Sequence, residues 1–570
     1  VSAAPLRRPL CAWSYLGVVA LAVLLWLPRL SGPIDLRYDA GVYYLLGTSL
    51  AQGDGYRIAS EPGSPAAVQY PPGLPLIVAA EAKIFQTTDP VELGRWLRRT
   101  YFVGFVALAV ALLALARTQL SEGLAAAATC LALLQLNTYL LSDMLFAELP
   151  FGLTSVCFVW WLLRPSEHPR RREAVGFLLA GLGFLLRSAG IALLAAWVAE
   201  AVLRRRWGLV ALRVLLSLLP FGGWQAYVSR VRASPEYQHP AYTYQRAPYQ
   251  FYNVTYAENV ALVDPFRPEL GKVNARALAS RFGENLAVIP SALGEAISST
   301  FGFWRWALND LQDLVFRARP IPAWVVRIPL YALAALACVG LVLLAMRRQW
   351  AFPAFVAASV ALVCATPWPG QFSRYLAPLV GFLAIAAFVG ALWIRQSAST
   401  SASPLLRRAA RWMLQGLAGV TVAVQLFTLA QVFLRRQTDP RMPSLGRPEQ
   451  HHVFYHDRTW ASWEKAVEWI GQHAPPDAIV ATVAPHLCYL WTGRKSIFPP
   501  MEANPDVARR LLEAVPVSYV IVDELTFLDI TRLYAEPAIT GPLSPWHVVY
   551  SVGQTRVFAR DAENETRGTP

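Results

Sequence analysis

The chain has 570 residues, 55% of them hydrophobic and only 15% charged, with a mean hydropathy of +0.36. Soluble domains carry roughly 25% charged residues, so an ordinary soluble enzyme is excluded, and the apolar content excludes intrinsic disorder. The net charge of +14 does not point to nucleic acid, because the arginines cluster between apolar blocks, as they do in cytoplasmic loops of membrane proteins.

Apolar blocks predict a polytopic α-helical membrane protein with spans over 10–28, 97–116, 121–141, 145–163, 174–186, 189–203, 207–228, 322–346, 350–366, 374–395 and 412–434, about eleven helices in all. Arg7 and Arg8 precede the first block as in a signal peptide. The run from Leu10 to Leu27 has no A-x-A cleavage site and reads as an uncleaved span. The segment 174–203 has Arg170, Arg171 and Arg172 before it, Arg204, Arg205 and Arg206 after it, and Arg187, Ser188 and Gly190 in its middle. Its halves are short for full crossings, which predicts two short helices meeting inside the membrane, an arrangement tolerated where the junction lines a cavity. Arginine counting puts the N-terminus inside and places loops 29–96 and 229–321, with everything after about 435, outside. Arg95, Arg98, Arg99, Arg435 and Arg436 run against that rule.

In the first outer loop, the stretch 72–86 contains Glu81 and Lys83 and predicts an interfacial helix. The second outer loop is rich in Tyr and Trp (YQHPAYTYQRAPYQFYNVTY), as suits a segment at a membrane surface. From about 455 the pattern becomes that of a soluble α/β unit: the helical WASWEKAVEWIGQHAP, then the β-branched runs DAIVATVA, SYVIVDE and WHVVYSV. The resulting division is a transmembrane part over 1–434, a small C-terminal α/β extracytoplasmic domain over 435–562, and a disordered tail over 563–570. The six cysteines, with no CxxC, indicate neither zinc nor a disulfide framework. His451, His452 and His456 lie close together but lack acidic or Cys partners at a helical offset other than Asp457, so no metal is assigned.

The densest constellation lies in the first outer loop: DLRYDAGVYYLLGTSLAQGDGY, followed by QYPPGLPLIVAA. Asp39 stands at or near the N-cap of a helix carrying Val42, Tyr43, Leu46 and Leu50 and ended by Gly53-Asp54-Gly55; capping alone would explain an acid there. Arg187, inside the membrane in this topology, is expected to line a cavity, because intramembrane ionisable residues are functional by default. Arg374 stands at the outer start of a span, where snorkelling would also explain it.

The order of these segments resembles the membrane glycosyltransferases of the GT-C type, and within them the protein mannosyltransferase / aminoarabinose transferase-like group. The resemblance rests on the Asp39 helix, YPPGLPL at 70–76, SDMLFAELPF at 142–151, GLGFLLRSAGIAL at 181–193 and QFSRYLAPL at 371–379, and covers most of 10–395. It implies a GT-C fold and an inverting transferase that moves a sugar from a polyprenyl-phosphate donor to a hydroxyl of an extracytoplasmic lipid, glycan or protein. It further implies an active site at the outer face of the cell's inner (plasma) membrane. Asp39 is then the candidate base, and Arg374, Arg187, Glu148, Asp143, Tyr70 and Arg57 are candidates for substrate or donor binding, with Arg37 weaker. One departure is that several relatives have two adjacent acids where Ala40 follows Asp39; Asp35 is a less suitable base. No cofactor is expected, and a divalent metal is possible but not indicated. The rival readings are a transporter or lipid flippase, for which broken helices are also a signature, and a non-catalytic scaffold of the same fold.

Overall fold

The computed structural model describes residues 12–315, 321–400, 403–434, 441–444, 447–450, 456–525, 529–541 and 544–561. Six helices among them are long and apolar enough to cross a membrane: Ala12–Arg29, Glu92–Ala116, Trp207–Arg232, Ala323–Met346, Pro369–Ser399 and Pro404–Phe433. Two bent pairs raise this to eight if each is one span. That is lower than the expected number, because Glu148–Leu163, Ser188–Leu203 and Ala351–Cys364 are apolar but short. Glycine lets two of the longer helices pack backbone to backbone. A Cβ on Gly340 would lie 1.8 Å from the Ala386 carbonyl oxygen, and one on Gly390 2.1 Å from that of Leu336. Without a hydrophobic drive between helices in lipid, such close approach is a main source of their association.

The interrupted helix expected around Arg187 is present. Helix Pro169–Leu186 stops, Arg187 takes an extended conformation (φ −155°, ψ 135°), and a 3₁₀ turn at Ser188–Gly190 leads into Ile191–Leu203. Gly190 permits this break, since a Cβ there would meet the Gly183 carbonyl at 2.3 Å.

The second outer loop corrects the sequence reading. It holds helix Ala275–Ile297, bent by 61° from the helix that begins at Phe301. Arg276, Arg281, Glu284, Glu295 and the internal Pro290 masked its apolar face in the sequence. Ile289, Leu293 and Ala296 are buried on that face, and Gly294 sits against the Leu330 backbone of Ala323–Met346. Arg204 donates to the Arg348 carbonyl at 3.2 Å, so the starts and ends of Trp207–Arg232 and Ala323–Met346 fix one common end of the bundle. The bent pair between these helices therefore leaves and returns to the opposite end, as a re-entrant element does.

At that opposite end lies the C-terminal sheet, in spatial order Ser496–Ile497, Ile479–Ala481, Val517–Val522, Thr555–Arg560, Trp546–Val552. The first three strands are parallel and the last two antiparallel. The sheet unit is seated on the first loop: Lys495 Nζ donates to the Ala59 carbonyl (2.6 Å) and the Ser496 amide to the Ser60 carbonyl (2.8 Å).

Candidate active site

Helix Asp39–Gln52 does not use Asp39 as its cap. The N-cap residue is Tyr38, held at φ 59° with no side-chain capping bond. A left-handed conformation in a bulky residue is costly and persists where the surroundings impose it. The Asp39 carboxylate is engaged by side chains of other segments. Oδ2 accepts from an Arg374 guanidinium nitrogen at 2.6 Å, and Oδ1 from the Tyr252 hydroxyl at 3.1 Å. Burial by itself would push the Asp39 carboxyl up. The Arg374 charge and hydrogen bond, then the Tyr252 bond, outweigh it and hold the group below the usual carboxylate range. Tyr252 is driven the other way, first by burial and then by the Asp39 charge, so it remains a protonated donor.

Arg374 is presented by a short helix, Phe372–Tyr375, between 3₁₀ turns at Pro369–Gln371 and Ala377–Leu379. Pro378 lies within the second of these turns, where its missing N–H separates the short Arg374 helix from the long helix Val380–Ser399. Its Nε donates to Glu148 Oε1 at 2.8 Å, and its guanidinium lies 4.1 Å from the Phe146 ring centroid. Arg187 reaches the same Glu148 oxygen at 3.3 Å. Glu148, expected in a sugar pocket, thus stands behind the two arginines and holds them side by side; the cavity face is left to their guanidiniums.

That cavity measures about 740 Å³ and is lined by Asp39, Arg187 and Arg374 together with Tyr43, Tyr70, Tyr252, Tyr256, Trp368 and Tyr375. Tyr70, from the YPPG segment, packs 4.7 Å from the Tyr43 ring. Gly73 allows this segment to lie on the interrupted helix, since a Cβ there would be 2.6 Å from the Leu185 carbonyl. A second wall is apolar: Phe184, Ile191, Phe221 and Leu362. A third comes from the C-terminal unit, with His486 of helix Pro485–Thr492 and Phe498, whose rings lie 4.7 and 5.8 Å from that of Tyr252.

The tyrosine-rich second loop packs on the first outer loop. Tyr242, Gln245 and Asn253 all donate to the buried Glu61, at 2.9, 3.1 and 2.7 Å. Burial pushes Glu61 up, against those three donors. Sequence reading missed Glu61, Tyr252, Tyr256 and His486. The density of tyrosines was the available signal for the two aromatics; the other two carried none.

Asp143 and Arg57 are not among the cavity's residues. Asp143 is fully buried between Arg29, with which it pairs directly, and Arg98, 2.7 Å away. Arg98 also donates to the Pro33 carbonyl (3.0 Å), tying the start of the first loop to the bundle and explaining an arginine that broke the charge rule. Asp143→Asn is expected to lower the thermal midpoint of the protein in nanodiscs, since removing one partner of a buried pair costs about 3–5 kcal/mol. An unchanged midpoint would refute this structural role. Arg57 forms a two-pronged pair with Glu236 (2.9 Å for both bonds), and Arg37 is neutralised by Asp35 at 2.8 Å. His451 and His452 lie outside the described residues, and His456 bonds Glu464 at 2.8 Å.

No family model matches the chain, and no curated protein sequence matches it significantly. Solved structures do. The apo oligosaccharyltransferase of Archaeoglobus fulgidus aligns with a TM-score of 0.53 at 13% identity, over 98% of this chain and 75% of that one. ArnT from Cupriavidus metallidurans aligns in its apo state with a TM-score of 0.51 at 14% identity, over 97% of this chain and 98% of that one. The same enzyme bound to undecaprenyl phosphate aligns at 0.50 and 14%, over 97% and 99%. At these identities the likeness is one of fold, and it runs through both the helical bundle and the C-terminal sheet. The chain is a multi-pass membrane protein with the fold of the GT-C glycosyltransferases.

Proposed function

We propose that the chain is an inverting glycosyltransferase that moves one sugar from a polyprenyl-phosphate donor to a hydroxyl of an extracytoplasmic lipid, glycan or protein. The observation that carries this reading is Arg374, which bonds Asp39 at 2.6 Å and Glu148 at 2.8 Å in the wall of an aromatic-lined cavity with Arg187 beside it. Two arginines side by side can fork onto phosphate oxygens, and the apolar wall of Phe184, Ile191, Phe221 and Leu362 suits the first isoprene units of a lipid carrier. That a structural neighbour, the ArnT above, binds undecaprenyl phosphate supports the same donor class.

In the reaction, the acceptor oxygen forms a bond to the anomeric carbon as the bond from that carbon to the phosphate oxygen breaks. The electron pair leaves on the phosphate, where Arg374 and Arg187 stabilise the growing charge. The acceptor's proton passes to Asp39. A carboxylate paired with arginine is a weak base, and donor binding corrects this. Once phosphate shares the Arg374 charge, the interaction that depresses Asp39 weakens and its proton affinity rises. The cavity's position, at the end of the bundle away from Arg204 and Arg348, supports catalysis on the outer face of the plasma membrane under the positive-inside rule.

The test is release of polyprenyl phosphate from a panel of polyprenyl-phosphate sugars by the purified protein in nanodiscs, followed by mass spectrometry. Turnover with at least one donor is expected. None with any donor across several acceptors would return the chain to the transporter or scaffold readings, which flux into vesicles separates.

A further inference from the structure

His486 belongs to the C-terminal unit, yet it lines the same cavity as Asp39. It is 3% exposed, and its Nε2 has no hydrogen-bond partner among the described residues. The ring is held on two sides. Its Nδ1 lies 2.7 Å from Ser60 Oγ, and the Tyr252 ring meets it edge to face at 4.7 Å.

The tautomer follows from Ser60. That hydroxyl is fully buried and has no other partner among the described residues, so its one stable arrangement is to donate to Nδ1. Nδ1 is then the acceptor of a neutral ring, and the proton resides on Nε2. Burial, opposed only by the Asp39 charge, drives the ring's pKa down to about 3, which keeps it neutral. A buried N–H with no acceptor is costly, and cavity-lining groups of this kind are paired when a ligand arrives. Imidazole N–H recognises an oxygen acceptor, and beside Asp39 the oxygen to be expected is a sugar hydroxyl.

We propose that His486 is a substrate-binding residue supplied by the C-terminal unit, its Nε2–H donating to a hydroxyl oxygen of a sugar bound next to Asp39, with Ser60 as the positioning residue that sets the tautomer. The inference rests on the glycosyltransferase reading above. It gives the C-terminal unit a direct part in the active site.

Two isosteric replacements separate anchoring from recognition. His486→Asn keeps a polar group where Nδ1 meets Ser60 but removes the group at Nε2. His486→Gln places an N–H near the Nε2 position and gives up the Ser60 contact. With the full-length protein in nanodiscs and whichever donor the wild type turns over, His486→Asn is expected to lower kcat/KM on the order of tenfold, and His486→Gln, which keeps a donor but loses the Ser60 contact, to lower it by a clearly smaller factor. A rise in donor KM, read from acceptor-independent hydrolysis, assigns the bond to the transferred sugar; a rise in acceptor KM assigns it to the acceptor. Wild-type values in both variants, or a loss in His486→Gln with none in His486→Asn, overturn the proposal and leave the glycosyltransferase reading standing. Absence of turnover in the wild type would fail that reading instead. Nitrogen-15 NMR of histidine-labelled protein tests the geometry in either case. The His486 signal, identified by its loss in His486→Asn, should be the Nε2–H tautomer and should not titrate between pH 5 and 8. An Nδ1–H tautomer overturns the proposal.

Discussion

Asp39→Asn is expected to reduce sugar transfer by about a hundredfold or more, the scale of a lost general base. The amide is isosteric and its oxygen can still accept from Arg374 or Tyr252, which bond the carboxylate at 2.6 and 3.1 Å. Arg374 also keeps Glu148 as its counter-charge, unlike the two arginines that depend on Asp143, so the site should hold its shape and the thermal midpoint should stay near wild type. The measurement is release of polyprenyl phosphate by both proteins in the same nanodiscs. Turnover unaffected by the substitution would keep the enzyme and remove Asp39 as its base. A second readout is the pH dependence of kcat/KM, which reports the free enzyme. A base must be ionised to act, so activity falls as pH drops through its pKa. Because Asp39 is held below the ordinary carboxylate range, the wild type should show no acid limb from this group above about pH 4.

Arg374→Gln is expected to cost more than one function, because Arg374 joins Asp39 to Glu148 and faces the cavity. Loss of a preorganised cation at the leaving group should lower turnover on the order of 10²–10³-fold, and donor KM should rise as one of two phosphate forks disappears. The variant also reverses the balance at Asp39. Burial pushes that carboxyl up and Arg374 is the first group opposing it. Without the guanidinium the Asp39 pKa rises, so the acid limb of kcat/KM should move up into the accessible pH range. Lysine restores charge but cannot fork onto two oxygens, so Arg374→Lys should recover only part of the loss. Donor KM and acid limb both unchanged in Arg374→Gln would show that phosphate is bound elsewhere.

Much of the fold was legible in the sequence because a membrane imposes a simple rule: backbone polar groups must pair within a segment, so spans appear as long apolar runs. The interrupted helix at Arg187 could be read from its glycines and flanking arginines. The C-terminal strands could be read from β-branched runs between turn residues. Helix Ala275–Ile297 could not, because its apolar residues lie on one face among charges and a proline, and only the packing against Ala323–Met346 shows which face is buried. Within the site, the sequence marked Asp39, Tyr70, Arg187 and Arg374, which segment order relates to one another. What it left to the tertiary structure was the choice among similar charges. Asp143 and Glu148 are five positions apart, yet one is locked between Arg29 and Arg98 and the other holds the two cavity arginines. An acid's role is set by which guanidiniums reach it through a medium with little water, and those come from residues about 39 to 226 positions away in the chain. His486 follows the same logic at longer range. Its partner Ser60 is 426 residues distant, and no local pattern can record a contact that exists only once the C-terminal unit has settled on the first loop.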